Sequence, residues 1–186
     1  MPGFELIGNE ERNAVNEIFD SNSLFYNGKR VKSFERQFAD YIGVDYAVAV
    51  SSGTAALKTS LIAAGVKPGD EVITQAFTFI ATVEAIVDVG ATPIIVNIDE
   101  TLNMDVDEFE KVITTKTKAV IPVDMLGVST EVDQINKIAK ENKLIVIDDC
   151  CEALGADWGD EKLGAQFDLC TFSFDNGKTI TTGEGG

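Results

Sequence analysis

The chain of 186 residues contains no histidine. This absence excludes histidine general-base catalysis, the Ser-His-Asp triad and zinc sites with histidine ligands. Basic residues are also scarce, since 15 lysines and arginines stand against 31 aspartates and glutamates, for a formal charge of −16. A surface of this charge repels polyanions, so we expect neither nucleic acid nor an anionic membrane face as a partner. Any bound phosphate must be held by local donors.

Cysteines and long apolar runs are scarce as well. Cys150, Cys151 and Cys170 are odd in number and lack CxxC spacing, which favours reduced, packed thiols over a disulfide framework. No apolar run approaches the roughly 20 residues needed to cross a bilayer. The N-terminus, Met1–Glu5, lacks the basic and apolar regions of a signal peptide. We therefore expect a cytoplasmic protein.

What is present is an alternation of strand-like and helix-like segments after two leading amphipathic helices at 9–20 and 30–42. Strands are predicted at 46–50, 71–74, 93–97, 118–123, 144–147 and 169–174. Helices are predicted at 54–64, 78–89, 105–113 and 130–142. Apolar strands without alternation are typical of a sheet covered on both faces. The sequence predicts one α/β domain over residues 1–186, with three αβα layers and a mostly parallel sheet, truncated after Gly186.

The carboxyl ends of the predicted strands carry the candidate site, because ligands bind there in open α/β sheets. Lys178 lies in a loop after the last strand, among glycines and small hydroxyl residues. Such a lysine is either a solvated surface charge or a nucleophilic amine.

The first predicted strand leads directly into a helix through Ser51–Ala56. Free backbone N–H groups and hydroxyls at a helix N-terminus form an anion cradle, although a plain helix cap explains the same residues. The segment has neither the GxGxxG pattern nor the Gly-Lys-Ser/Thr ending of a P-loop.

Two carboxylates, Asp148 and Asp149, follow the strand at 144–147. They are loop or cap residues, or they face a cation. Magnesium is conceivable, but the sequence shows no further carboxylate cluster at ligand spacing, and we predict no metal. Phe79 opens a helix after another strand, where it either covers a flat ligand or packs in the core.

A phosphate cradle, a carboxylate, an aromatic ring and a lysine together match the demands of pyridoxal phosphate. The sequence also resembles the DegT/DnrJ/EryC1/StrS sugar aminotransferases, of the fold type I class of pyridoxal-phosphate enzymes. The resemblance is carried by segments at 31–35, 46–57, 69–73, 77–82, 90–93, 149–153 and 172–186. It implies that relatives carry a C-terminal small domain that is absent here.

The resemblance implies a role for each site residue. Lys178 would bind the cofactor as an internal aldimine and then act as general acid and base, while Asp149 would keep the ring nitrogen protonated. Phe79 would stack on the ring. Glu152 would lie beside the phenolic oxygen, where relatives usually carry glutamine or histidine, so its role stays open between the cofactor and the substrate. The phosphate would be bound by Gly53, Thr54, Ala55 and Ser173.

The resemblance further implies a homodimer and a keto-sugar substrate near Tyr26, Asn27 and Lys29. Relatives that are dehydratases replace the lysine with histidine, so Lys178 favours transamination, with glutamate or glutamine as donor. We rank a nucleotide-linked keto sugar first and a 3-deoxy-octulosonate sugar acid of lipopolysaccharide second. A non-catalytic cofactor-binding fragment and a general nucleotide-binding module remain alternatives.

Overall fold

A computed structural model of the chain describes residues 3–21 and 28–186. Two helices come first, α1 at Asn9–Asp20 and α2 at Lys29–Ile42. The other helices are α3 at Gly53–Ala63, α4 at Ile80–Asp88, α5 at Val106–Lys111 and α6 at Val132–Asn142. The strands are β1 at Glu71–Gln75, β2 at Thr92–Val96, β3 at Thr117–Ile121, β4 at Ile145–Asp149, β5 at Asp157–Trp158, β6 at Glu161–Lys162 and β7 at Leu169–Thr171. Short 3₁₀ turns lie at Gly3–Leu6 and Met125–Gly127. Within the described ranges, no helix has the length and apolar character required to cross a membrane.

Five strands form one parallel sheet in the order β2-β1-β3-β4-β7. The chain passes from β1 outward to β2 and then returns to the other side of β1 with β3. The strand order therefore reverses between β1 and β3, and crevices for ligands open at the carboxyl ends of the strands around such a point.

Helices cover both faces of the sheet because neighbouring strand residues face opposite ways. On one face, Val72 and Ile147 pack with Leu57 of α3 and Ile86 of α4. The other face packs against α5 and α6, and its buried members include Ile73, Val120, Val146, Phe109 and Ile135. The structure thus confirms the predicted three-layer α/β fold with a parallel sheet.

Most predicted elements are confirmed with shifted ends, but the strand at 46–50 is wrong. Residues 46–50 form no strand. Val50 exchanges two backbone hydrogen bonds with Gly186, of 2.9 and 3.1 Å, whereas the Ala49 N–H donates to the Glu35 side chain of α2. A strand requires a ladder of successive pairs, so an apolar sequence with one such pair is extended chain rather than sheet. The strand predicted at 169–174 likewise ends at Thr171.

Candidate active site

A cleft of about 360 Å³ lies at the carboxyl ends of the strands. Seven of the predicted cofactor-binding residues line it: Gly53, Thr54, Phe79, Asp149, Glu152, Ser173 and Lys178. These residues come from the start of α3, the start of α4, the end of β4 and the loop after β7. The fold therefore gathers in one place residues that are separated by up to 125 positions along the chain, from Gly53 to Lys178.

Asp149 is the buried carboxylate of this cleft. Its Oδ2 accepts a hydrogen bond of 2.8 Å from the Thr82 hydroxyl, and its Oδ1 accepts one of 3.2 Å from the Cys151 N–H. Burial raises the pKa of Asp149, while the donors of Cys151 and Thr82 and the charge of Lys178 act in the opposite direction. The two donors hold the carboxyl group in a fixed orientation.

Asp148, which the sequence grouped with Asp149, does not share this environment. It is fully buried and contacts Cys150, whose Sγ lies 3.1 Å from Asp148 Oδ2. Consecutive side chains of a strand alternate between the two faces of the sheet, so β4 presents one carboxyl group to the cleft and turns the other away. The two carboxyl groups at the end of this strand therefore belong to two separate sites.

The N-terminus of α3, where the sequence predicts an anion cradle, lies at the cleft. Ser52 caps the helix, and its Oγ accepts a hydrogen bond of 3.1 Å from the Ala55 N–H. The Gly53 and Thr54 amides precede Ala56, the first residue whose N–H donates within the helix, to the Ser52 carbonyl at 3.0 Å, so the helix supplies these two amides with no acceptor. The structure thus supports Gly53 and Thr54 as amide donors, whereas the Ala55 amide already binds the capping hydroxyl.

Gly53 is required by the close packing of this cradle against the loops after β4 and β7. A Cβ atom at position 53 would lie 2.9 Å from Cys151 Sγ and 2.9 Å from Ser173 Cβ. Those distances are shorter than ordinary carbon contacts, so a larger residue would push the helix terminus away. The absence of a side chain brings the Ser173 hydroxyl to the same end of the cleft as the helix amides.

Lys178 and Glu152 face each other at the other side of the cleft. Lys178 Nζ lies 3.8 Å from Glu152 Oε1, and their side chains are 24% and 31% exposed. The loop that carries the lysine is fixed at its backbone, because the Gly3 N–H donates to the Lys178 carbonyl at 2.9 Å and the Lys178 N–H donates to the Asp175 carbonyl at 3.0 Å. The amine is thus positioned within the cleft and partly open to solvent.

Phe79 lies at the cleft with 68% of its surface exposed, directly before α4. The alternative that Phe79 packs in the core is wrong, because a core phenylalanine would be covered. An exposed ring at a concave site is available to cover a flat ligand.

Of the three predicted substrate residues, the structure describes Lys29, which does not line this cleft. Lys29 is the exposed first residue of α2 and is absent from the described lining of the cleft. Tyr26 and Asn27 lie outside the described residues.

Sequence reasoning missed Thr82, whose hydroxyl binds Asp149 and also lies 2.8 Å from the Thr78 hydroxyl. The signal was present as two threonines four residues apart at the start of a helix, a spacing that places side chains on one face. It was not interpretable without knowing that α4 packs beside the end of β4.

Known proteins of similar sequence include GDP-perosamine synthases and a spore coat polysaccharide biosynthesis protein. The chain is 46% identical over 178 residues to a GDP-perosamine synthase of Escherichia coli O157:H7, covering 95% of this chain and 49% of that protein. It is 43% identical over 182 residues to the spore coat polysaccharide biosynthesis protein SpsC of Bacillus subtilis, covering 97% of this chain and 46% of that protein. The chain thus spans about half the length of the curated relatives it matches.

Solved structures share the fold as well. Spr1654 of Streptococcus pneumoniae in its PMP form matches with a TM-score of 0.93 and 32% identity, over 96% of this chain and 49% of that chain, and its PLP form has also been solved. The sequence matches the DegT/DnrJ/EryC1/StrS aminotransferase family over residues 5–186. This match covers all five strands of the sheet and the residues described as lining the cleft, so the chain belongs to the DegT/DnrJ/EryC1/StrS aminotransferase family.

Proposed function

We propose that the cleft binds pyridoxal phosphate through Lys178 and that the full-length protein transfers an amino group from an amino acid to a keto sugar. The observation that carries the proposal is the meeting of three groups in one cleft: the Lys178 amine, the buried Asp149 carboxyl group and the N-terminus of α3. The family is pyridoxal-phosphate dependent, and the PLP and PMP forms of Spr1654 support the same cofactor here.

The polar groups of the cleft fit the cofactor both at its phosphate and at its ring nitrogen. The Gly53 and Thr54 amides, with the positive end of the α3 dipole and the Ser173 hydroxyl, suit a phosphate dianion in a chain of strongly negative charge. Asp149, fixed by two donors, suits a protonated ring nitrogen. Phe79 is free to cover the ring.

Bound pyridoxal phosphate supplies an aldehyde that condenses with amines and a ring that accepts electrons from the reacting carbon. Lys178 would hold the aldehyde end, and its Nζ, which lines the cleft, would move a proton at the substrate carbon. Glu152, 3.8 Å away, stabilises the positive charge of the lysine while the amine is free.

The acceptor that we propose first is a nucleotide-linked keto sugar, with glutamate or glutamine as the amino donor. Several relatives that match nearly all of this chain are GDP-perosamine synthases. A 3-deoxy-octulosonate sugar acid remains the second choice of acceptor.

The cofactor proposal is tested by titrating the full-length, cofactor-free protein with pyridoxal phosphate and recording visible absorbance. We expect a band in the wild type and its loss in Lys178→Ala. Lys58→Ala is the matched control, because Lys58 is an exposed lysine paired with Asp88. An unchanged band in Lys178→Ala would refute the assignment of the lysine.

The reaction is tested by incubating the loaded full-length protein with candidate keto sugars and glutamate and weighing the products. Transamination exchanges a carbonyl oxygen for an amino group, so the product mass identifies the acceptor. Reaction with the octulosonate acid and none with nucleotide sugars would reverse our ranking. Binding of free nucleotides in preference to pyridoxal phosphate would contradict the proposed function as a whole.

A further inference from the structure

Two carboxyl groups and a thiol lie together beside the strand ends, apart from the cleft. Cys150 Sγ lies 3.1 Å from Asp148 Oδ2 and 3.5 Å from Asp124 Oδ2. The three atoms that could bind a ligand fall within 4.8 Å of one another, and all three residues are buried. A thiol has one hydrogen to donate, so Cys150 cannot satisfy both carboxylates at once.

Two polar atoms at this cluster have no hydrogen-bond partner. Across the described parts of the chain, the buried side-chain atoms of this kind are Asp148 Oδ1 and Thr130 Oγ1. Thr130 adjoins the cluster, because its N–H donates to Asp124 Oδ1 at 2.8 Å. A buried carboxylate oxygen without a donor is costly when the group is ionised and much less so when it is protonated. The unpartnered oxygen of Asp148 therefore points to a bound proton.

No basic side chain compensates the cluster. Among residues 3–21 and 28–186, no lysine or arginine nitrogen lies within the 4.0 Å of an ion pair from Asp124 or Asp148. The titratable groups that act on it are acids and thiols: Asp149 beside Asp148 on β4, and Cys170 on the neighbouring β7.

The electrostatics agree with this geometry. Burial raises the pKa of Asp124 to about 6, against the opposing effect of the Thr130 N–H and the Cys150 thiol. Burial and the neighbouring Asp124 raise the pKa of Asp148 well above its ordinary value. The burial of Cys150 and the charges of the two acids raise the pKa of its thiol, so the sulfur stays protonated.

We propose that Asp124, Asp148 and Cys150 form a proton-holding cluster, in which the carboxyl pair retains a proton, carried mainly by Asp148 rather than by Asp149. Asp149 differs because it accepts hydrogen bonds from Thr82 and Cys151 and lies near Lys178, whereas Asp148 Oδ1 accepts none.

The cluster is linked to the cleft by the charges of its carboxyl groups and by a backbone hydrogen bond. The Asp124 N–H donates to the Asp149 carbonyl at 3.2 Å, and Asp148 precedes Asp149 on β4. If all three acids were ionised, their mutual repulsion would raise the pKa of each. A proton held by Asp148 leaves Asp149 as the carboxylate that the strand end presents to a ligand. This consequence rests on the proposed function, but the proton itself is testable without the cofactor.

The test is infrared spectroscopy of the cofactor-free full-length protein near neutral pH, which detects the carbonyl stretch of a protonated carboxyl group. We expect the band in the wild type and its loss or strong reduction in Asp148→Asn, which keeps the shape of the side chain. Asp149→Asn, on the same strand end, is the matched control and should keep the band. Asp160→Asn, in an exposed turn, controls for the substitution itself.

The pH dependence of stability supplies a second measurement that needs no infrared signal. A carboxyl group whose folded pKa is raised binds more protons in the folded state, so stability is greatest at low pH and falls as pH rises from about 4, the unfolded value. We expect the midpoint temperature of unfolding of the wild type to fall as pH rises above about 4. The fall should be smaller in Asp148→Asn and in Asp124→Asn. Each variant is compared with itself across pH, so a general loss of stability does not obscure the result.

Three outcomes would overturn the proposal. The wild type could show no protonated carboxyl band, the band could disappear in Asp149→Asn and persist in Asp148→Asn, or the pH dependence could be the same in all variants. Zinc retained by the protein in a 1:1 ratio and lost in Asp148→Asn would also overturn it, because a cation would then occupy the place of the proton.

Discussion

The hydroxyl of Thr82 on α4 lies 2.8 Å from Oδ2 of Asp149 at the end of β4. The two residues are 67 positions apart in the sequence, and both are buried. The bond ties the first turn of a helix to the carboxyl group that we propose faces the ring nitrogen of the cofactor. Through this contact the packing of α4 orients the Asp149 carboxyl group.

Thr82→Val should weaken cofactor binding. Valine keeps the shape of threonine but removes a hydrogen bond to a charged acceptor, which is worth about 1.5–3 kcal/mol and corresponds to roughly a tenfold to hundredfold loss of affinity. Loss of this donor raises the pKa of Asp149 further, so the carboxyl group takes up its proton at a higher pH than in the wild type. As the solution is acidified, the affinity for pyridoxal phosphate should therefore begin to fall at a higher pH in the variant. Titration of the protein with pyridoxal phosphate at several pH values measures both effects.

Thr78→Val is the control for that substitution. Thr78 contacts the Thr82 hydroxyl at 2.8 Å. Its loss should change affinity less than the loss of Thr82. Equal effects of the two variants would show that the hydroxyl pair acts as a unit rather than through Asp149.

Gly53→Ala should damage both folding and phosphate binding. The new methyl group would lie 2.9 Å from Cys151 Sγ and from Ser173 Cβ, so the helix terminus or the strand-end loops must shift. Overpacking of this kind costs about 1–3 kcal/mol. Urea denaturation measures the loss of stability, and titration with pyridoxal phosphate measures the loss of affinity.

Gly177→Ala, in the same cleft, provides the comparison. A Cβ atom there would lie 3.6 Å from Asp175 Oδ2, an ordinary contact. We expect a small change in stability for this variant, and a loss as large as that of Gly53→Ala would contradict the role of close packing at position 53.

Ser52→Ala should destabilise the protein by about 1 kcal/mol, because the variant loses the N-cap of α3 and leaves the Ala55 N–H without its acceptor. Urea denaturation is the measurement. Ser60→Ala, within the same helix, removes a hydroxyl without removing a cap, so it should leave stability nearly unchanged. Equal midpoints for Ser52→Ala and the wild type would show that the helix terminus is held by tertiary packing alone.

Glu152→Gln should make Lys178 more reactive in the cofactor-free protein. The Glu152 carboxylate lies 3.8 Å from the Lys178 amine, and its removal leaves the amine without this ion-pair partner and more accessible to a reagent. Because the pair is partly exposed, it is worth at most about 1 kcal/mol, so the rate should rise by no more than about fivefold. Labelling with an amine reagent, followed by peptide mass spectrometry, gives the rate at Lys178.

Asp157→Asn provides the matched comparison, since Asp157 is paired with Lys162 at 2.5 Å outside the cleft. This variant should alter labelling at Lys162 and leave Lys178 unaffected. An unchanged rate at Lys178 in Glu152→Gln would show that the ion pair has no effect on the amine.

Local sequence patterns were sufficient for most of the fold. Apolar runs such as residues 144–147 and caps such as Asp105, whose side chain accepts from the Glu108 N–H, act over a few residues, and the predicted elements agree with them. Residues 46–50 show the limit of this approach. Their continuous apolar sequence suits a strand, but the Ala49 N–H donates to the Glu35 side chain on α2, and of these residues Val50 alone bonds with Gly186. Whether a strand forms depends on partners that lie far away in the sequence.

The sequence by itself determined which chemical groups stand at the strand ends, because turn residues, caps and apolar runs are local signals. It thereby predicted Lys178, Asp149, Phe79 and the start of α3 as parts of one site, and the cleft contains all of them. The tertiary structure decided how these groups are used. The Asp148 side chain lies on the other face of the sheet from Asp149 and clusters with Asp124 and Cys150. The Thr82 hydroxyl donates a hydrogen bond to Asp149. Those relationships depend on strand order, on the alternation of side chains across the sheet and on helix packing, which bring together residues that no local pattern connects.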